Sequence, residues 1–103
     1  MVSNDQIKTW VLASLKNVQA NDATYAGIAV NDQTLVLGPG SPFDSIAFTA
    51  FATDLEEKIE DATGEPFVLK VDELFSRLKG RKMTAEAIAL ALPALIDSAR
   101  SHG

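Results

Sequence analysis

At 103 residues the chain has room for one ordinary domain and not two, and its 47% apolar and 22% charged residues suit a folded globular protein rather than a disordered one. With no cysteine and a single histidine, His102 beside the C-terminus, it offers no disulfide, thiolate metal site or cysteine nucleophile and almost nothing for a histidine dyad. The net charge of −5 argues against a nucleic-acid binder, whose surface must be basic to neutralise phosphates.

The opening residues Met1-Val2-Ser3-Asn4-Asp5 lack a basic start followed by an apolar stretch, so the expected location is the cytoplasm. A first helix is predicted from about Asn4 to Gln19. Ser3 with Gln6 three residues later is a capping-box pattern, and Asp5 suits the positive end of the helix dipole. Ile7, Val11, Leu15 and Val18 fall at helical spacing and form one buried stripe, with Trp10 beside it as a core anchor. From Ala20 to Asp44 the pattern breaks into turn formers, Asn21-Asp22, Gly27, Asn31-Asp32 and Gly38-Pro39-Gly40, interleaved with apolar residues. Two readings compete there. Thr24 to Val30 and Gln33 to Leu37 form a short hairpin about Asn31-Asp32, or the whole stretch is a long loop plugging gaps between helices.

The second helix is the clearest element. Asp44 is a good N-cap, and Gly40 and Pro42 prevent an earlier start. Phe48, Phe51, Ala52, Leu55, Ile59 and Ala62 repeat at three and four, and Gly64 is the expected C-cap. Asp54, Glu57 and Asp61 share an exposed face with Glu56 and Glu60 beside them. Pro66 imposes an extended connection to a short helix over about Val71 to Lys79, burying Leu74, Phe75 and Leu78. A last helix follows the N-cap Thr84 and carries Ile88, Leu92, Leu95 and Ile96 on one side, with a kink or restart expected at Pro93. Its nearly apolar run, Ala87 to Ile96, is far short of a membrane span. The predicted fold is all-α: a monomeric bundle of three main helices and one short helix, with a long first loop.

Charge is unevenly placed. Between Asp44 and Glu65 seven acids face one base, Lys58, so this segment carries −6 and the rest about +1. It is either a solvated helix face or a surface that steers a basic partner. The group Arg77, Lys79, Arg81, Lys82 reads as a solvated turn that balances it. Adjacent acids such as Glu56-Glu57 and Glu60-Asp61 do not converge as cation ligands must.

Asp44-Ser45-Ile46 stands a short spacer after Leu37-Gly38 and opens a helix containing Leu55-Glu56-Glu57-Lys58-Ile59, and a glycine turn, a short helix and a final helix complete the order. In this the chain resembles the acyl carrier protein family over nearly its whole length. The resemblance implies that Ser45 carries 4′-phosphopantetheine, whose thiol holds an acyl group as a thioester, and that Asp44 is both N-cap and a contact for the phosphopantetheinyl transferase. It favours the loop over the hairpin. It also implies that Ile46, Ala47, Ala50, Asp54, Glu56, Glu57 and Glu60 meet partner enzymes of acyl-activating, acyltransferase or ketosynthase type, and that the chain is no enzyme itself. A serine in the first turn of a helix is exposed, and a phosphodiester there gains from the helix dipole and from unpaired N–H groups. The spacer Gly38-Pro39-Gly40-Ser41-Pro42-Phe43 is longer than in fatty-acid carriers, and Ala47 and Ala50 stand where housekeeping carriers usually show acids. Both point to a specialised stand-alone carrier of a fatty-acid, lipid or polyketide-type pathway. An aminoacyl or peptidyl carrier has the same pattern at Ser45, and a helical interaction module without prosthetic group is the reading from a different class.

Overall fold

The computed structural model describes residues 3–38 and 40–101; Pro39 of the spacer and His102 lie outside the described residues. Among the described residues four helices follow in chain order: α1 (Asn4–Asn21), α2 (Ser45–Thr63), α3 (Val71–Leu78) and α4 (Ala85–Ser101). The capping signals account for their ends. Ser3 accepts from the Gln6 N–H at 3.1 Å, Gly64 ends α2 in a left-handed conformation at φ 75°, and Thr84 Oγ1 accepts from the Ala87 N–H at 3.1 Å. α4 runs unbroken through Pro93, so the expected restart does not occur. The carbonyl one turn earlier, at Ala89, simply lacks its intrahelical donor.

One core joins all four helices. Ile7, Val11, Leu15 and Val18 of α1 meet Phe48, Phe51, Leu55 and Ile59 of α2, with Leu74 and Leu78 of α3 and the α4 stripe closing the cluster. Trp10 is half-buried at its edge. Two residues placed in the core by spacing are not there. Ala62 is exposed because the last turn of α2 runs past the cluster, and Phe75 is 50% exposed because eight-residue α3 buries only the Leu74–Leu78 side.

The fold is not purely helical. Two short strands, β1 (Leu35–Leu37) and β2 (Met83–Thr84), pair antiparallel, Leu35 with Thr84 and Leu37 with Met83. The hairpin therefore does not form: its second half finds a partner just before α4 instead. The first half is irregular, apart from a 3-10 turn over Ala23–Tyr25. The pairing also caps α4, since Asp32 and Thr34 carbonyls accept from the Glu86 and Ala85 N–H groups at 3.0 and 2.9 Å. Orphan donors at a helix start thus fix the first loop against the last helix.

Candidate functional site

The loop reaches Asp44 and Ser45 as a folded turn. Ser41 Oγ donates to the Leu35 carbonyl at 2.9 Å and accepts from the Phe43 N–H at 3.1 Å, while the Ser41 N–H donates to the Gly38 carbonyl at 3.0 Å. Gly38 and Gly40 hold φ of 114° and 86°, values a side chain would strain. Phe43 is buried and packs on Tyr25 with ring centroids 5.3 Å apart. Tyr25 is held in turn by Gln19 of α1, whose amide donates to the Tyr25 carbonyl at 2.9 Å and to that of Ile28. The long spacer is thus anchored to both a strand and the core.

Asp44 caps α2 from an extended conformation, its Oδ1 accepting from the Ala47 N–H at 2.8 Å and its carbonyl from the Phe48 N–H at 2.9 Å. The Ala47 N–H holds the Asp44 carboxyl below its ordinary value against an opposing effect of burial, and the neighbouring Tyr25 hydroxyl adds to this. The Tyr25 phenol is pushed up, first by burial and then by the neighbouring Asp44 carboxylate.

Ser45 is the first residue of α2 and exposed, and no hydrogen bond ties its hydroxyl to another described residue. Ile46 beside it is 80% exposed. Of the N–H groups expected to be unpaired around Ser45, that of Ala47 is taken by the Asp44 carboxylate. Ser45 thus stands at the positive end of the helix dipole.

The expected partner face is only partly a face. Ala47 is 4% exposed and turns into the core, whereas Ala50 is exposed. Asp54 pairs with Lys58 at 2.6 Å and accepts from Asn17 Nδ2 at 3.0 Å. Burial pushes its carboxyl up, but Lys58 and the hydrogen bonds outweigh this and hold it below the ordinary value. Glu60 and Glu56 are half-buried and bind inward, accepting from the Phe67 N–H at 3.0 Å and the Leu69 N–H at 2.7 Å. Glu57 alone of the expected acids is exposed. Among the described residues no three acids gather as metal ligands would.

Gln19, Tyr25 and Phe43 build this site without having been read from the sequence. Phe43 did carry a signal: it precedes the N-cap with Phe48 five residues on, the spacing of a hydrophobic staple, and both are buried. Tyr25 and Gln19 act through the fold and carry none. Compared with models of known protein families, with curated proteins and with solved structures, the chain finds no match in any of the three.

Proposed function

We propose that this chain is a carrier protein bearing 4′-phosphopantetheine on Ser45, serving a specialised fatty-acid, lipid or polyketide-type pathway of separate enzymes. The observation that carries the reading is an exposed, unengaged serine hydroxyl at the first position of a long helix, beside a carboxylate cap whose loop is anchored. Attachment joins Ser45 Oγ to the phosphorus of the arm, breaks the P–O bond to that phosphorus in the diphosphate of coenzyme A so that adenosine 3′,5′-bisphosphate leaves, and passes the serine proton to a base of the transferase. Ser45 needs no base of its own for this. Once bound, the arm supplies a thiol that carries acyl groups as thioesters. Held by one bond at the tip of α2, it presents them to successive enzymes at high effective concentration. Asp44 orients the first turn and offers the transferase a negative contact, and Ile46 gives it an apolar one.

Intact mass after incubation with coenzyme A and a broad phosphopantetheinyl transferase tests the reading. The wild type gains one phosphopantetheine and Ser45→Ala gains none while keeping its fold. An unchanged wild-type mass with an active transferase sinks the proposal in favour of an interaction module.

A further inference from the structure

Between Glu73 and Glu86 the chain carries four bases, Arg77, Lys79, Arg81 and Lys82, and no acid. Arg77 and Lys79 do not balance the acids of α2 by contact: among the described residues their side chains form no ion pair or hydrogen bond. Glu73 precedes Arg77 by four residues, the favourable order for a helical pair, and still leaves it free. Arg81 is spent differently. Its N–H and Nε both donate to the Leu78 carbonyl, at 3.1 and 3.0 Å, which covers the negative end of α3. Lys79 closes that helix at φ 53°, a left-handed conformation ordinarily left to glycine, although Gly80 follows at once.

Arg77 and Lys79 line one open hollow of about 450 Å³ at the end of α3, together with Glu73, Ser76 and, from α4, Ser98. The two serine hydroxyls are uncommitted among the described residues. We propose that this hollow binds a phosphate monoester, its oxygens taken by the Arg77 guanidinium, the Lys79 ammonium and the hydroxyls of Ser76 and Ser98. Four donor side chains on one hollow exceed what a carboxylate uses, with two oxygens and one charge. A phosphate monoester offers three oxygens and close to two charges near neutral pH. The lining sums to +1 with Glu73 counted, and a dianion feels such a field about twice as strongly as a monoanion. The planar fork of Arg77 suits two of the oxygens, and Lys79 adds a point charge. Lys79→Gly would relax the backbone and remove the ammonium together, so the strain is kept where the charge is used. Glu73 opposes any anion there and limits the affinity. No residue assigned to carrier enzymes lines the hollow, so it is a second site whatever Ser45 bears.

The test titrates the full chain with glycerol 3-phosphate at constant ionic strength and follows the amide signals of Ser76, Arg77, Lys79 and Ser98, with acetate and glycerol as controls. Glycerol 3-phosphate is expected to shift them saturably, acetate more weakly and glycerol not at all. Arg77→Gln should weaken phosphate binding by up to about fivefold and Glu73→Gln should tighten it by up to about fivefold, the range of one exposed pair. Lys79→Gly should also lose affinity while melting at or above the wild-type temperature, which separates lost binding from a lost fold. Vesicles of phosphatidylcholine with and without phosphatidic acid identify the source of the phosphate. Co-sedimentation with the acidic vesicles that is lost in Arg77→Gln assigns a lipid headgroup, and saturation by glycerol 3-phosphate alone assigns a free monoester. Absence of both, equal effects of glycerol 3-phosphate and acetate, or wild-type affinity in Arg77→Gln overturns the site.

Discussion

At Asp44 a single carboxylate serves the helix cap, the loop and the charge beside Ser45, and substitutions separate these roles. Asp44→Asn keeps an acceptor for the Ala47 N–H and loses the charge, whereas Asp44→Ala loses both. The asparagine variant should melt near wild type and the alanine variant roughly 4–8 °C lower, with both modified more slowly by a transferase. Thermal melts beside modification rates check this; an asparagine variant modified at the wild-type rate shows that the charge is not read. Tyr25→Phe removes one of the groups that keep the Asp44 carboxyl low and leaves the ring against Phe43. The folded-state pKa of Asp44 lies below its ordinary 3.8, so its contribution to stability is present above that value and is lost as pH falls through the folded pKa. Without the hydroxyl the folded pKa rises, that contribution shrinks, and acid unfolding begins at a higher pH. Carboxyl NMR titration of Asp44 reads the shift directly, and an unmoved titration removes Tyr25 from the network.

Between elements, the decisive match is one of spacing. Glu56 and Glu60 stand about 6 Å apart along α2, and alternate N–H groups of an extended chain repeat at about 6.6 Å. Phe67 and Leu69 are buried with Val68 exposed between them, the alternation of an extended chain, and their N–H groups fall on the two carboxylates. The clasp seats the linker without any strand beside it. Glu56→Ala with Glu60→Ala should lose about 1 kcal/mol per bond and the hydrogen-exchange protection of the Phe67 and Leu69 amides, whereas the two glutamine substitutions keep acceptors in place and most of both. Protection that survives the alanine pair shows that the apolar side chains alone seat the linker. The same contrast of local and distant partners explains what was legible in the sequence. Ser3, Asp44, Gly64 and Thr84 act within one turn of the helix they bound, so spacing along the chain placed α1 and α2 within two residues and the start of α4 at Ala85. Leu35 and Thr84 are joined across two intervening helices by strands too short to show alternation. Glu56 and Glu60 read as free acids because the periodicity of a helix does not say whose N–H lies opposite. At the site, Asp44 and Ser45 were legible through the cap, while the Tyr25 contact depends on where Gln19 brings the loop.

Over the whole molecule, stability and charge are distributed differently. Stability is concentrated in one cluster: Leu55 has no exposed surface and lies in the same core as Ile7, Val11, Leu15 and the α4 stripe. Leu55→Ala should cost about 2–5 kcal/mol, a large share of the roughly 5–15 typical of a domain, and a denaturant melt like that of wild type removes Leu55 from that cluster. Charge acts at two ranges. The −6 of residues 44–65 contributes to a long-range field wherever each carboxylate points. Close pairing with a partner's basic side chains needs free, exposed acids, and Asp54 is engaged by Lys58 while Glu56 and Glu60 bind the linker. A ketosynthase built for a housekeeping fatty-acid carrier would bring cations to the first turns of α2 and meet Ala50 there. Ala47 cannot report on this, because Ala47→Asp buries a carboxylate in the core and lowers stability before it changes any encounter. Ala50→Glu is the clean substitution, since position 50 is exposed. One such pair is worth only about 0.2–1 kcal/mol. The elongation rate of the loaded Ala50→Glu carrier should therefore exceed wild type by at most about fivefold at low salt and converge with it as salt rises. If wild type already matches a housekeeping carrier across the salt series, the alanine at position 50 does not set partner choice, and the specialised-pathway reading loses its electrostatic support.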